Sequence, residues 1–278
     1  MSTAVASRGQ LRRGWGVMIA ILHRWLVLVL GVAAWELGTR ATTSPYFPTP
    51  AKILTRMYHL WFSGPISHVF LTSTAVQNIL PSLGRMTLGL AASVVVGITV
   101  GLALGRSRRA FEYLDPLLQF ARVIPPPTLV PIFIVLLSVG TQMQLASIIF
   151  SAVWPILLNT ADGARSVDRL QMDTARVFQL SGTDRLFKII IPASLPKIFA
   201  GLRLSLSLSL ILMVFSELLP GTANGIGFEL VDAQSRSDLP TMWAGIVLLG
   251  ILGYLLNSIL LLVEQRLLAW HRTSHTDR

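Results

Sequence analysis

Few side chains in this sequence have the types and spacing needed for covalent chemistry. There is no cysteine, so disulfides, thiolate metal sites and cysteine nucleophiles are excluded. The five histidines are scattered along the chain, whereas a membrane-embedded enzyme would need His, Asp or Glu clustered at one depth. No Gly-x-x-x-x-Gly-Lys-Ser/Thr phosphate loop occurs either. We therefore predict no catalytic residue, no bound metal and no bound cofactor.

Two charged side chains beside long apolar runs are candidates for a transport path. Glu217 is the only acid inside its apolar run, and acids within a membrane are functional candidates by default. It lies near the end of the run, so a solvated interfacial carboxylate is an equal alternative. Arg85 lies at a boundary of another run, where it could favour an anion path or extend towards the membrane surface.

A proline cluster is the second pathway candidate. Ile124-Pro125-Pro126-Pro127 interrupts an apolar stretch, and irregular backbone at membrane depth is tolerated where it lines a cavity or is buried in protein. A packing kink is the alternative. The predicted pathway residues are Gln119, Pro125, Pro126, Thr128 and Glu217.

The composition indicates what must position these residues. Of the 278 residues, 53% are hydrophobic and only 13% are charged, whereas a soluble domain carries nearer a quarter charged residues. Lipid must therefore solvate much of the chain. We predict an all-α, polytopic membrane helix bundle forming one domain over 1–278.

Six apolar stretches approach the roughly 20 residues that a membrane-spanning helix needs. The predicted spans are 18–38, 82–105, 117–138, 143–160, 199–219 and 241–264. The second is rich in small residues, which is typical of a helix packed closely against its neighbours.

The basic residues predict the orientation. With the N-terminus in the cytoplasm, eighteen of the 23 Lys and Arg residues fall on the cytoplasmic side. The opposite orientation would invert this ratio, against the tendency of cytoplasmic loops to collect positive charge. Both termini are therefore predicted to be cytoplasmic.

The external connection, 39–80, is long and contains an amphipathic patch. Its apolar residues are Ile53, Leu54, Met57, Leu60 and Trp61. The spacing allows two placements, on the outer membrane interface or over the helix bundle.

The cytoplasmic connection, 161–198, is patterned as two short helices. Helical spacing relates Val167, Leu170, Thr174 and Val177–Phe178. Ser181-Gly182-Thr183-Asp184 then places a hydroxyl three residues before an acid, which is a capping-box signature. We expect Pro192 and Pro196 to end the second helix. The predicted result is a protruding knob, with an ordinary basic loop on the lipid headgroups as the alternative.

The stretch Asp173-Thr174-Ala175 … Ile189-Ile190-Ile191-Pro192 resembles the EAA loop of binding-protein-dependent ABC transporter permeases. The family pattern is Glu-Ala-Ala, three residues, Gly, nine residues and Ile-x-Leu-Pro. Thr174 replaces the usual Ala. Gln179 occupies the family's glycine position, with Gly182 three residues later, so the shape of the turn stays open.

Other segments resemble the nitrate, taurine and sulfonate branch of that family. They are Tyr46-Phe47-Pro48-Thr49-Pro50, Ser82-Leu83-Gly84-Arg85, Arg122-Val123-Ile124-Pro125, Leu195-Pro196 with Gly201-Leu202-Arg203, and 264–270. Together they cover most of the chain beyond about residue 46.

The resemblance implies the permease fold and partners of a type I importer in the bacterial inner membrane. The implied partners are two ABC ATPase subunits carrying ATP and Mg, a second permease copy forming a homodimer, a periplasmic or lipid-anchored binding protein, and lipid, without nucleic acid. The implied substrate is nitrate, taurine or an alkanesulfonate, bicarbonate, or a similar small anion or heterocycle. The implied docking residues are Asp173, Thr174, Ala175, Val177, Phe178, Gln179, Leu180, Ser181, Gly182, Asp184, Phe187 and Pro192.

A secondary transporter is the main rival interpretation. It predicts inverted internal repeats with paired broken helices. The chain has one proline-rich break and one cytoplasmic knob, which disfavours this class.

Overall fold

The computed structural model describes residues 26–42 and 44–268, and the regular structure of these residues is entirely helical. This confirms the predicted all-α class. The helices are α1 (26–42), α2 (Pro50–Met57), α3 (Ser73–Arg106), α4 (Arg108–Val123), α5 (Pro126–Leu137), α6 (Thr141–Arg165), α7 (Arg169–Val177), α8 (Gly182–Arg185), α9 (Ile191–Glu217), α10 (Ile226–Ser235) and α11 (Leu239–Leu267).

Four helical segments among the described residues are long and apolar enough to cross a membrane. They are Ile66–Arg106, Thr141–Arg165, Gly182–Glu217 and Leu239–Leu267, which contain α3, α6, α9 and α11. The predicted spans 82–105, 143–160, 199–219 and 241–264 fall on these segments. The first predicted span, 18–38, lies partly outside the described residues, and its later part falls on α1.

The predicted span 117–138 covers two helices. α4 and α5 meet at 88°, and the break falls at Ile124 and Pro125, which both have extended backbone conformations. Pro125, Pro126 and Pro127 lack backbone N–H groups, so a continuous helical ladder cannot form across this point. The pair counts as a fifth span if the bent helices cross together.

α6 packs between α3 and α9, and these two helix pairs form the most extensive contacts of the bundle. Close approach to α6 requires glycine at Gly97 and Gly101 of α3. A Cβ atom at either position would lie 2.7–2.8 Å from atoms of α6. The small-residue composition of the second span therefore serves close packing, as predicted.

The amphipathic patch of the 39–80 connection covers the bundle. Ile53 and Met57 of α2, with Trp61 in the following π-helical turn, are buried in a cluster with residues of α3, α9, α10 and α11. Leu54 faces outward. Arg56 forms an ion pair with Asp238 at the start of α11, so this segment is fixed at the end of the bundle opposite the knob.

Candidate functional site

The knob comprises residues 166–190, between α6 and α9. Asp168 precedes α7 as its N-cap, and its side chain accepts a hydrogen bond from the backbone N–H of Leu170 at 3.0 Å. Ala175 is the buried residue of α7. The helix therefore rests on the bundle through Ala175 and through Met172, which packs against the cluster of Leu102, Ala164 and Ile190. Its other apolar side chains, Leu170 and Val177, are exposed.

The turn after α7 contains a strained residue. Gln179 has φ +53°, the left-handed region that favours glycine. The N–H of Gln179 donates to the carbonyl of Arg176 at 2.9 Å, and that of Leu180 donates to Ala175 at 3.0 Å. These two bonds form a Schellman motif. The turn thus has the backbone shape that glycine would adopt at this position, although the residue is glutamine.

The predicted capping box is present at the next helix. Ser181 Oγ accepts from the backbone N–H of Asp184 at 3.0 Å and lies 2.6 Å from the Asp184 carboxylate. Lys188 Nζ lies 2.6 Å from the same carboxylate. Gly182 begins α8 directly after the Ser181 cap.

The expectation that Pro192 and Pro196 end this helix is wrong. A π-helical turn, Leu186–Ile190, joins α8 to α9, and Pro192 lies in the first turn of α9. In a regular helix, the ring of Pro192 would clash with the carbonyl group four residues earlier. The π turn shifts the carbonyl groups just before Pro192 and so avoids this clash. The helical segment therefore continues from Gly182 to Glu217.

Large apolar side chains are unusually exposed on the knob. Leu170, Val177, Phe178 and Phe187 are between 64% and 80% exposed. A cavity of about 840 Å³ lies between α7 and the segment 188–193, with Ala175, Leu180 and Ile189 in its lining. Contiguous apolar surface rimmed by charged groups is typical of a protein interaction site.

The first two residues of the EAA-like motif lie on the exposed surface of α7. Asp173 accepts from Arg176 Nη1 at 2.8 Å. Thr174 donates its hydroxyl proton to the Leu170 carbonyl at 2.8 Å. Because this bond satisfies the hydroxyl within the helix, Thr174 fits where alanine is usual in the family pattern.

The pathway candidates occupy two separate places. Gln119 and Thr128 lie on either side of the α4–α5 bend, where Gln119 donates to Asp115 at 3.0 Å and Thr128 donates to the Pro125 carbonyl at 2.7 Å. Pro126 begins α5. Glu217 is at the end of α9 and belongs to a different cluster.

Glu217 is buried and paired, so the alternative of a solvated interfacial carboxylate is wrong. Arg85 Nη2 donates to Glu217 Oε1 at 2.6 Å, and only 8% of the Arg85 side chain is exposed. Ser82 Oγ lies 2.8 Å from both carboxylate oxygens. Arg85 also donates to the Asn224 side chain at 2.9 Å. Arg85 therefore does not extend to the membrane surface, and its charge is compensated inside the bundle.

The same cluster holds the start of α10. The backbone N–H groups of Gly225, Ile226 and Gly227 donate to Asn78 Oδ1, Ser82 Oγ and Glu217 Oε2 at 2.9–3.1 Å. These are the unpaired N-terminal groups that every helix must satisfy. Gly225 has φ +133°, and a Cβ atom there would lie 2.4 Å from Glu217. α3, α9 and α10 are thereby joined.

Sequence reasoning did not identify this cluster. The available signal was the presence of opposite charges, Arg85 and Glu217, in two different apolar segments, because charged residues within a membrane tend to pair with one another. Asn78 and Asn224 are uncharged, so this reasoning does not assign them to the cluster.

A second buried acid lies in α10, between the apolar spans. Glu229 accepts from Trp61 Nε1 at 3.2 Å. Burial raises the pKa of the Glu229 carboxyl above its ordinary value, although hydrogen bonds from Trp61 and Asn78 act in the opposite direction. Trp61 is thus tied to α10 through a buried carboxyl whose pKa is raised.

Residues 93–269 match the family model described as the inner membrane component of binding-protein-dependent transport systems. Among curated proteins, the chain is 30% identical over 267 residues to a putative aliphatic sulfonates transport permease protein of Bacillus subtilis, covering 95% of this chain and 91% of that protein. It is 30% identical over 257 residues to the taurine transport system permease protein of Escherichia coli, covering 90% and 92%.

A nitrate import permease protein of Synechocystis is 33% identical over 217 residues, or 78% of each chain. Among solved structures, an inward-facing form of the MetNI methionine ABC transporter superposes with a TM-score of 0.58 at 17% identity, covering 68% of this chain and 94% of that chain. This last likeness shows the fold, which is that of a type I importer permease.

The family model covers more than half of the chain, and two relatives match nearly its whole length. Members of this family are not catalytic. They act with separate ATPase subunits, which hydrolyse ATP, and with a substrate-binding protein. The chain therefore belongs to the binding-protein-dependent transport system inner membrane components, and it is a multi-pass permease subunit of an ABC importer in the bacterial cytoplasmic membrane.

Proposed function

We propose that the knob docks the partner ATPase subunits. The observation that carries this proposal is the exposure of Val177, Phe178 and Phe187 on two short helices that protrude between α6 and α9. Large apolar side chains are costly in water, so a surface that exposes several of them favours burial against a partner. The same part of the chain carries exposed charged side chains, Asp173, Arg176 and Lys188, which would supply a polar rim.

The continuous helical segment Gly182–Glu217 supports a mechanical role. Its 36 residues correspond to roughly 54 Å at about 1.5 Å per residue. One end belongs to the knob, and the other ends in the cluster that holds α10. Displacement of the knob when the ATPases close on ATP and Mg would therefore move the opposite end of the bundle as part of a rigid body.

A second copy of this chain is the proposed partner within the membrane. α4 has no buried residue, and Val130 is the buried residue of α5. Exposed apolar side chains on the α4–α5 pair, including Leu117, Phe120 and Val135, would pack against the same pair of the other copy. Because Pro125 and Pro126 form the bend, we propose that the bend, with Gln119 and Thr128, borders the translocation pathway between the two copies.

We propose that Glu217 serves this pathway indirectly. Both carboxylate oxygens are already engaged by Ser82, Arg85 and the Gly227 N–H. A passing solute would have to displace the guanidinium from a buried carboxylate. Glu217 therefore fits a role in holding the outer end of the bundle together better than a role in solute contact.

The proposed substrate is a small anion of the nitrate, taurine or alkanesulfonate, or bicarbonate class. The printed names of the relatives include aliphatic sulfonates, taurine, nitrate and bicarbonate, and these solutes share an anionic group. A small heterocycle is the second class. Calorimetric titration of the cognate binding protein with members of each class distinguishes them, and binding of only a heterocycle would contradict the anion proposal.

Co-purification tests the docking proposal. Phe178→Asp replaces one of the exposed apolar side chains with a charged one and should abolish retention of the ATPase subunits by the detergent-solubilised permease. Leu54→Asp is the matched control, because Leu54 is also exposed but lies at the opposite end of the bundle. Both variants should insert normally into membranes. Equal ATPase retention by Phe178→Asp and Leu54→Asp would contradict the proposal.

A further inference from the structure

A second cavity, of about 490 Å³, opens beside the knob and is lined by four arginines. Arg106 and Arg165 contribute from the ends of α3 and α6, Arg108 from the start of α4, and Arg185 from α8. Met172 is among the remaining lining residues. The concentration of guanidinium groups distinguishes this cavity from the apolar groove between α7 and 188–193.

The positive charge of this cavity is largely uncompensated. Within the described residues, Arg106, Arg165 and Arg185 form no ion pair, and the Arg108 charge is matched by Glu112 at 2.7 Å. Asp168 accepts from the Leu170 N–H, and three further acids of this region are paired with cations outside the cavity. Asp162 pairs with Lys197, Asp173 with Arg176 and Asp184 with Lys188. No acidic residue lines the cavity, so its charge balance favours an added anion.

Helix dipoles explain the positions of only two of the four arginines. Arg106 and Arg165 lie in the last turns of α3 and α6, where a cation is favourable. Arg108 is the first residue of α4, where a cation is unfavourable because the helix end there is itself partly positive. Arg185 is the last residue of α8, and the helical segment continues beyond it to Glu217. The dipoles of the helices that carry these two arginines therefore do not explain their positions.

Two of the arginines are positioned for binding. The Arg165 guanidinium lies 4.0 Å from the centre of the Phe111 ring, which fixes its plane and leaves its edge donors available. Arg185 Nε is buried and has no hydrogen-bond partner in the described part of the chain. A buried donor without a partner is costly, and an oxyanion in the cavity would supply the missing acceptor.

We infer that this four-arginine pocket binds a phosphate-type oxyanion. The pocket lies where the apolar segments Ile66–Arg106 and Thr141–Arg165 end, which is the expected level of the lipid headgroups. Basic pockets between helices on the cytoplasmic side suit anionic headgroups. Arginine is well matched to phosphate because its planar donors bind two oxygens at once. The oxyanion can come from an anionic lipid or from a free anion.

The test uses the full-length chain purified with its ATPase subunits. Phosphatidylglycerol and phosphatidylcholine are offered together in mixed micelles, and the retained lipid is measured by mass spectrometry. Inorganic phosphate is offered separately, against chloride at constant ionic strength, by equilibrium dialysis. The test variant is Arg165→Gln with Arg185→Gln. The control is Arg266→Gln, which removes one arginine charge from an exposed site outside the pocket.

We expect the wild type and Arg266→Gln to retain phosphatidylglycerol in preference to phosphatidylcholine. The double variant should lose roughly tenfold in affinity for each arginine replaced. Binding of phosphatidylglycerol alone identifies a lipid headgroup site, and arginine-dependent binding of phosphate as well identifies a site open to free oxyanions. If the double variant does not assemble, the single variants Arg165→Gln and Arg185→Gln provide the same comparison. Arg165→Lys with Arg185→Lys keeps the charge and removes only the planar donors.

Two results would overturn the inference. One is that neither probe binds the wild type, and the other is that both bind the double variant as strongly as the wild type. If neither probe binds and the double variant also loses its ATPase subunits, the pocket receives an acidic protein segment instead of an oxyanion. Docking through Phe178 is tested independently, so failure of one proposal leaves the other standing.

Discussion

Arg85 of α3 donates to Glu217 of α9 at 2.6 Å, and both residues are almost completely buried. The pair lies at the end of the bundle opposite the knob. Its polar neighbours hold the first N–H groups of α10. The Arg85–Glu217 ion pair therefore joins α3 to α9, and the polar residues around it hold α10.

Glu217→Gln should be strongly destabilising. The substitution preserves the shape of the side chain but leaves the buried Arg85 charge without a counterion, and breaking a buried pair costs about 3–5 kcal/mol. Thermal unfolding in detergent, followed by tryptophan fluorescence, measures the loss. Arg85→Met combined with Glu217→Gln should recover part of it, because no uncompensated charge then remains.

Asp232→Asn is the matched control for that loss. Asp232 pairs with Arg236 on the exposed surface of α10, and exposed pairs contribute about 0–1 kcal/mol. If Asp232→Asn and Glu217→Gln lower the free energy of unfolding by similar amounts, burial of the Arg85–Glu217 pair does not increase its contribution to stability.

Gly101→Ala should separate α3 from α6. An added Cβ atom would lie 2.7 Å from the backbone carbonyl oxygen of Leu157 and from Thr160 Cβ, so the helices must shift apart. Overpacking of this kind costs about 1–3 kcal/mol. Gly84→Ala in the same helix meets no atom within 4 Å and should be neutral or slightly stabilising. Unfolding temperatures of the two variants test the contrast, which identical temperatures would contradict.

Gln179→Gly should relieve strain in the knob. A residue other than glycine in the left-handed region carries a cost of about 1–2 kcal/mol, and the greater freedom of glycine in the unfolded chain offsets part of the gain. Hydrogen exchange at the amides of residue 179 and Leu180, which donate to Arg176 and Ala175, should slow in the glycine variant. Gln179→Val should exchange faster than the wild type. The reverse order would show that the turn is not strained.

Glu229 predicts a pH dependence of stability. Burial raises the pKa of this carboxyl in the folded chain, so the folded state binds the proton more tightly than the unfolded state. The resulting stabilisation is complete below the ordinary carboxyl pKa and is lost as the pH rises through the raised value. Glu229→Gln keeps an acceptor for Trp61 and should remove this part of the pH dependence. An unchanged profile of unfolding free energy against pH would contradict the assignment.

Patterns within a single segment were predictable from the sequence. The Ser181–Asp184 capping box, the exposed apolar residues of the knob and the close packing of Gly97 and Gly101 all follow from local spacing and residue size. The break in the helix at Pro125 was also predictable from the sequence. The pattern that indicates each feature lies among residues near one another in the chain, although Gly97 and Gly101 pack against the distant α6.

Features that depend on distant residues were not predictable. Arg85 and Glu217 are 132 positions apart, and each alone suggested a residue at the membrane boundary. The expected helix end at Pro192 failed for a different reason. Proline disfavours a regular helix, but the π turn at Leu186–Ile190 accommodates it, and no residue type in this stretch specifies such a turn.

The absence of cysteine from the chain allows the most direct test of the docking account. Phe178→Cys, in a functional importer, is treated with a thiol-to-amine cross-linker, and the adducts are identified by mass spectrometry. Leu54→Cys, exposed at the opposite end of the bundle, is the control. We predict a cross-link from residue 178 to the ATPase subunit and none from residue 54. Cross-linking of the ATPase to residue 54, or its absence at 178 despite full thiol labelling, would contradict the account.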